Sequence, residues 1–181
     1  MNDEELLQKI SVGDKDAFIE FFNKYKSKAF ALLRSICKNN FDAEEALQDV
    51  FMKIYDYSST FKGTSKVSTW LYTITYRTGL SYVANRKRNK TEPIDEFIEN
   101  NIKNDSEQKD FIKNELLLKL VDELSEKQNI VLTLFYFNDL TIEEISQTLN
   151  ISESDVKTTL HRARISLYNM IEEKNLRQDL Q

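Results

Sequence analysis

The stretch that decides the fold is TIEEISQTLNISESDVKTTLHRARI, residues 141–165. Thr141 and Glu144 predict a capping box at the start of a short helix, because a hydroxyl and an acid at this spacing satisfy the first free backbone N–H groups. The turn NIS follows, and Ser152 with Asp155 predicts the start of a longer helix. Two helices joined by so short a turn are typical of a helix-turn-helix unit.

The longer of these two helices has two chemically different faces. One face is an apolar stripe at helical spacing, formed by Val156, Leu160, Ala163 and Leu167. The opposite face is polar and basic, with two basic residues beside it, and comprises Ser154, Thr158, His161, Arg162, Lys157 and Arg164. Such side chains can contact bases and phosphates when a helix lies in the major groove of DNA, so this face is a candidate duplex-binding surface.

Composition extends the helical prediction to the whole chain. The 181 residues include three Gly and one Pro, and the apolar 40% recur every three to four positions, which predicts an all-α protein. The size suits two small domains. No apolar run approaches membrane-spanning length, and the first residues, MNDEELLQKI, do not resemble a secretion signal, so we expect a cytoplasmic protein.

The single Cys and single His limit the possible chemistry. Cys37 lies on an apolar helical face and has no second Cys to pair with, so we expect it to fill the core. His161 has no partner Cys or His with which to hold a metal. We therefore expect no metal and no cofactor.

Charge divides the chain into two unequal halves. Residues 1–90 carry 15 Lys and Arg against 11 Asp and Glu (net +4), whereas residues 91–181 carry 10 against 19 (net −9). The segment TEPIDEFIENNIKNDSEQKDFIKNE, residues 91–115, contains eight acids, three bases and the only Pro. We predict a first domain over 1–90, an acidic linker over 91–115 and a second domain over 116–181.

In the first half, Asp14 or Asp16 can cap one helix, and Asp42 with Glu45 predicts a capping box for a second helix that ends near Tyr57. One face of this second helix is apolar and comprises Ala46, Leu47, Val50, Phe51 and Ile54. The opposite face is formed by Glu45, Gln48, Asp49 and Met52. An ordinary solvated face and a binding surface both fit this second set, and spacing alone does not choose between them.

A polar loop, FKGTSKVS, precedes a third helix, TWLYTITYRTGLSYVANRKRNK. Aromatic and basic residues interleave in this helix: Trp70, Tyr72, Tyr76 and Tyr82 with Arg77, Arg86, Lys87 and Arg88. These residue types stack bases and neutralise phosphates along a single strand. Aromatics at helical spacing are also common in cores, and this is what we expect of Trp70 and Tyr82.

Three blocks in this order carry a family resemblance: DAEEALQDVFMKIY, STWLYTITY with the later RKR, and LSEKQNIVLTLFYFNDLTIEEISQTLNISESDVKTTLHRAR. The chain resembles an extracytoplasmic-function (ECF) sigma factor of the sigma-70 family, group 4. The resemblance implies a region 2 helical bundle that binds the RNA polymerase clamp and melts the minus-ten element. It also implies a region 4 helix-turn-helix that reads the minus-thirty-five element as duplex, so that the protein is an alternative sigma factor directing promoter-specific initiation.

The resemblance also implies residue roles and partners. Polymerase contacts would come from Glu45, Gln48, Asp49 and Met52. The minus-ten element would meet the loop and the third helix, through Lys62, Ser65, Lys66, Ser68, Tyr76 and Arg77, with nearby phosphates held by Arg86, Lys87 and Arg88. The minus-thirty-five element would meet Ser154, Lys157, Thr158, His161, Arg162 and Arg164. The implied partners are core RNA polymerase, promoter DNA and an anti-sigma factor, which in this family is often membrane-bound.

Two other classes of function compete with this interpretation. A stand-alone helix-turn-helix regulator that binds operators as a dimer would leave the first half unexplained. An enzyme is not expected, because adjacent acids such as Glu143 and Glu144 point in different directions on a helix and no nucleophile or phosphate loop accompanies them. No small-molecule substrate is therefore expected. The opposite charges of the halves also suggest that the two domains pack together, and the acidic linker is expected to thread through basic channels of the polymerase.

Overall fold

The computed structural model describes residues 1–89 and 117–174, and throughout these ranges the regular structure is helical, which confirms the all-α prediction. A single 3-10 turn, Ser58–Thr60, follows the third helix, and residues 117–122 are helical and are called α5. The remaining helices are α1 (Asp3–Ser11), α2 (Lys15–Cys37), α3 (Asn40–Tyr57), α4 (Val67–Asn89), α6 (Glu126–Tyr136), α7 (Ile142–Leu149) and α8 (Glu153–Glu173). The predicted linker, residues 91–115, lies outside the described residues.

The predicted helix starts follow from local side-chain caps. Asp14 caps α2 by accepting hydrogen bonds from the backbone N–H groups of Asp16 and Ala17. Thr141 and Glu144 form the predicted capping box of α7, and Ser152 accepts from the N–H of Asp155 at the start of α8. Ser125 and Gln128 form a further capping box on α6. Such caps stabilise helix ends because they satisfy N–H groups that have no intrahelical partner.

The predicted capping box of Asp42 and Glu45 was wrong. α3 begins at Asn40, and Asn39 caps it by accepting from the N–H of Asp42, 2.8 Å away. Lys38 ends α2 in the left-handed conformation with φ 65°, which leaves Asn39 extended and able to cap the next helix. Asp42 is instead a buried residue in the first turn of α3.

In the first half, α2 lies at the centre and α1, α3 and α4 pack around it. The predicted apolar face of α3 is buried, and Ala46, Val50 and Ile54 are fully enclosed. Cys37 is a buried core residue, as expected, and burial raises the pKa of its thiol to about 11. A thiol with so high a pKa is almost entirely protonated near neutral pH, which makes it a poor nucleophile.

In the second half, α7 and α8 form the predicted helix-turn-helix and α6 packs against both. The apolar stripe of α8 faces inward, with Val156, Leu160 and Ala163 buried and Leu167 packed at its end. None of the helices over residues 1–89 and 117–174 is long and apolar enough to cross a membrane.

The two halves pack against each other, α2 against α6 and α4 against α7. One continuous apolar cluster includes buried residues of both halves, among them Tyr72 from α4 and Ile145 from α7. Asn138, which is buried, donates from Nδ2 to the backbone carbonyl of Lys28 over 3.0 Å. The hydrogen bond satisfies the amide N–H of Asn138, which would otherwise be costly to bury, so it favours the packed arrangement.

The close approach of α4 to α2 depends on Gly79. A Cβ atom at this position would lie 2.9 Å from Cδ1 of Ile36 and 3.1 Å from Cδ2 of Leu33, which is closer than carbon atoms normally approach. A larger residue at this position would therefore require the Ile36 and Leu33 side chains to shift within a closely packed contact.

Gly79→Val should therefore lower the free energy of unfolding by about 1–3 kcal/mol, because the branched side chain overpacks this contact. Urea denaturation followed by circular dichroism measures the change. Ser81→Val, an exposed site on the same helix, is the matched control. Equal effects of the two substitutions would contradict the close approach.

Candidate functional surfaces

The four predicted polymerase contacts lie together on α3. Glu45, Gln48, Asp49 and Met52 are all exposed, and Met52 is 64% exposed. The face thus places an exposed apolar side chain beside two acids. The face can therefore combine electrostatic attraction with an apolar contact.

An apolar groove lies beside this face, between α2 and α3. Its volume is about 350 Å³, and it is lined by Phe18, Phe22, Gln48, Phe51, Met52, Tyr55 and Asp56. Phe18 and Phe22 are only half-buried, although both follow the helical spacing of the apolar residues of α2. The sequence did contain a signal: four aromatics within Phe18–Tyr25 form a stripe too wide for a single core contact.

Three polar contacts connect α3 to the antiparallel α4. The hydroxyl of Tyr82 donates to Oε2 of Glu45 over 3.1 Å. Lys53 Nζ donates to the hydroxyl of Thr78 over 3.1 Å, and Arg86 forms an ion pair with Asp42. These contacts were not foreseen from sequence, because each joins residues 25 or more positions apart.

The predicted minus-ten residues occupy the loop before α4 and the surface of α4. Lys62 and Arg77 are exposed, and Ser65, Ser68 and Tyr76 are half-buried. Trp70 is half-buried and packs edge-on against Phe61, with ring centroids 5.6 Å apart. Tyr72 is fully buried, and burial raises the pKa of its hydroxyl to about 12, so this aromatic is a core residue.

Lys66, in the same loop, pairs with an acid of the second half. Its Nζ lies 2.9 Å from Oε1 of Glu144, which also forms the capping box of α7. Burial of Glu144 opposes ionisation, but the N–H of Thr141 and the Lys66 ammonium outweigh it and lower the pKa of the carboxyl. The charge of Lys66 is thus engaged by α7 in this arrangement.

The basic cluster at the end of α4 divides into two kinds of residue. Lys87 and Arg88 are exposed. The side chain of Arg86 is 16% exposed and that of Asp42 is 6% exposed, so their ion pair is largely enclosed. The sequence grouped the three basic residues together, whereas the structure separates Arg86 from the other two.

The predicted recognition face of α8 is open to solvent. Ser154, Lys157, Thr158, His161 and Arg162 are all exposed, and they lie opposite the buried stripe. Lys157 lies 3.5 Å from Glu153, an exposed pair one helical turn apart. Such exposed pairs contribute little to stability, so Lys157 can readily exchange Glu153 for another anion.

Arg164 is exposed at the edge of this face, next to Lys157, and also contacts α6. Its Nε donates to the hydroxyl of Tyr136 over 3.0 Å, and its guanidinium lies 5.8 Å from the ring centroid of Phe135. Cation–π contacts of this kind hold an arginine in place. Arg164 therefore connects α8 to α6 in addition to any role in binding DNA.

Among residues 1–89 and 117–174, three ion pairs connect the two halves, and in each the base belongs to the first half and the acid to the second. The nitrogen–oxygen distances are 2.5 Å for Lys28–Asp139, 2.7 Å for Arg34–Asp122 and 2.9 Å for Lys66–Glu144. The net positive charge of the first half and the net negative charge of the second half thus match the direction of the ion pairs between them.

Two family models match the two halves and define the class of protein. Residues 21–89 match sigma-70 region 2, and residues 114–167 match sigma-70, region 4. Region 2 followed by region 4 is the arrangement of a sigma-70 type transcription initiation factor, in agreement with the helical bundle and the helix-turn-helix described above.

The ECF RNA polymerase sigma factor SigM of Bacillus subtilis (strain 168) is 30% identical to this chain over 156 residues, which are 83% of this chain and 94% of SigM. The chain therefore belongs to the ECF RNA polymerase sigma factors, which confirms the family predicted from sequence and favours it over a stand-alone regulator.

Two solved structures share the fold. CnrH, in complex with the cytosolic domain of CnrY, has a TM-score of 0.69 at 16% identity, and the match covers 94% of this chain and 97% of CnrH. The sigma factor RpoE of Bartonella quintana, in complex with the anti-sigma factor NepR, has a TM-score of 0.66 at 20% identity, covering 84% and 97%. At these identities the likeness concerns the fold.

Reversing the basic partners of the three crossing ion pairs should separate the halves, because each pair would then juxtapose like charges. The variant combines Lys28→Glu, Arg34→Glu and Lys66→Glu. Small-angle scattering should show a larger radius of gyration for this variant than for wild type. A compact chain of this length is expected to have a radius of gyration of about 16 Å.

The control variant makes the same change in net charge at exposed residues of α1 and α2, with Lys9→Glu, Lys15→Glu and Lys26→Glu. It should scatter as wild type does. An equal increase in the radius of gyration in both variants would show that net charge, and not these ion pairs, governs compaction. A wild-type radius in both variants would show that neither does.

Proposed function

We propose that this sigma factor binds the clamp of core RNA polymerase through the face of α3 formed by Glu45, Gln48, Asp49 and Met52. The observation that carries the proposal is the exposure of all four side chains beside an apolar groove. Protein interfaces concentrate binding energy where an apolar pocket receives an anchor and surrounding charges complement the partner. Acids around the groove suit a basic partner with an apolar anchor.

We propose that the loop before α4, together with α4 itself, captures the minus-ten element as single strands. Lys62 and Arg77 are exposed and can approach phosphates, and the hydroxyls of Ser65 and Ser68 can hydrogen-bond to bases. Tyr76 is half-buried and presents part of its ring for stacking. Lys66 can contribute once Glu144 releases it.

The exposed face of α8 is proposed to read the minus-thirty-five element in the major groove. Arg162 and Lys157 would contact phosphates or base edges, while Ser154, Thr158 and His161 would determine sequence preference. Short polar side chains between two bases suit this task because they let the helix approach the groove closely.

We also propose an anti-sigma partner that covers the face of α3 and keeps polymerase away. RpoE of Bartonella quintana, which has the same fold, was solved with the anti-sigma factor NepR, and this complex supports the proposal. The sigma factor is proposed to act in the cytoplasm, where polymerase and promoters are, and to work by binding without catalysing a reaction of its own.

Run-off transcription with purified bacterial core polymerase and candidate promoters tests the polymerase face. Wild type should give a promoter-specific transcript, and a Gln48→Ala, Asp49→Ala double variant should lose most of it, because the face loses a charge and a hydrogen-bonding group. Glu4→Ala with Gln8→Ala, an exposed pair on α1, is the matched control and should transcribe normally. Equal transcription by both double variants would rule out this face.

Arg162→Ala tests the recognition face. Binding of the holoenzyme to promoter DNA should weaken, and the slope of log K against log salt should fall by about one if Arg162 contacts a phosphate. Lys127→Ala, an exposed base on α6, should leave the slope unchanged. A wild-type slope in the Arg162 variant would remove the phosphate contact from the proposal.

A further inference from the structure

The ion pair between Arg86 and Asp42 joins the last turn of α4 to the first turn of α3. Asp42 also accepts a hydrogen bond from Nδ2 of Asn39 over 2.7 Å. An acid is favourable at a helix N-terminus and a base at a C-terminus, because both complement the helix dipole. The enclosed pair therefore holds two complementary helix ends together, and the charge of Arg86 is neutralised within the protein.

The hydrogen bond between Tyr82 and Glu45 lies one helical turn along from this ion pair. Burial and this hydrogen bond raise the pKa of Tyr82 to about 12, so its hydroxyl keeps the proton that it donates. Glu45 is exposed and belongs to the face of α3 proposed to bind polymerase. The donated hydrogen bond restricts the orientation of a carboxylate that would otherwise rotate freely in solvent.

We propose that Arg86 and Tyr82 are positioning residues for the polymerase-binding face, with Arg86 fixing the start of α3 through Asp42 and Tyr82 orienting Glu45. Arg86 thus works separately from Lys87 and Arg88, which face solvent and can meet phosphates. The inference rests on the function proposed for the α3 face. It explains why a base in the RKR run is enclosed while its two neighbours are exposed.

Titration of labelled full-length sigma factor with core polymerase tests the role of Tyr82. Tyr82→Phe keeps the ring and removes the hydroxyl, and should weaken polymerase binding about threefold to tenfold, as expected for one hydrogen bond. In a Glu45→Ala background the same substitution should have no further effect, because Tyr82 acts through Glu45. A merely structural role would weaken binding equally in both backgrounds, and that result would overturn the proposal.

The salt dependence of promoter binding by the holoenzyme tests the role of Arg86. Arg86→Gln should leave the slope of log K against log salt unchanged, whereas Lys87→Ala should lower it by about one. A slope lowered equally by both substitutions would make Arg86 a phosphate ligand and overturn its assignment.

Arg86→Lys answers the same question if Arg86→Gln does not fold. A phosphate ligand replaced by another cation would leave polymerase affinity unchanged, whereas a positioning residue that loses its planar guanidinium should weaken polymerase binding. Unchanged affinity would therefore count against the proposal.

The failure of this inference is distinguishable from failure of the proposed function. If the Gln48→Ala, Asp49→Ala variant binds polymerase as wild type does, the α3 face itself is wrong. If that variant loses binding while Tyr82→Phe and Arg86→Lys retain it fully, the face stands and only the positioning role is overturned.

Discussion

The packing of α4 against α2 and α3 is the constraint on which the rest of the structure depends. α4 approaches α2 closely at Gly79, and its antiparallel register on α3 is set by contacts at Thr78, Tyr82 and Arg86. Because α4 packs against both α2 and α3, the acid-rich face of α3 and the loop before α4 belong to one packed unit. Polymerase binding and minus-ten capture, as proposed, would therefore share a single scaffold.

The second half attaches to this same unit and not to a separate surface. α7 lies on α4 and α6 lies on α2, and the apolar cluster continues across the contact. The ion pairs at its edge are partly exposed, so each contributes little by itself, whereas the buried Asn138 requires its partner on Lys28. Apolar burial thus contributes most of the free energy that stabilises the contact between the halves. The polar groups specify the orientation in which the halves pack.

Much of the fold could be predicted from sequence because its determinants are local. Capping pairs such as Thr141 with Glu144 act within one turn, and the buried and exposed faces of α3 and α8 follow from helical periodicity. The start of α3 was misplaced because Asn39 competed successfully with Asp42 for the cap. Asp42 instead forms an ion pair with Arg86, a residue 44 positions away, and local spacing cannot indicate this contact.

In the candidate surfaces, too, local features could be predicted from sequence and long-range contacts could not. Periodicity alone showed which residues are exposed on α3 and α8, but it could not show that Arg164 lies on the aromatics of α6 or that Lys66 meets Glu144. These contacts depend on how helices from distant parts of the chain come together. The groove between α2 and α3 also arises only when the aromatic rows of two helices are placed side by side.

The contact of α7 with α4 has a thermodynamic consequence for any partner that needs the covered surface of α4. Such a partner can bind only those molecules in which the halves have separated, so its apparent dissociation constant equals the intrinsic constant divided by the separated fraction. Residues such as Asp139 and Asn138 then tune affinity without touching the partner. Substitutions in the second half could thereby set the threshold concentration at which the factor competes for polymerase.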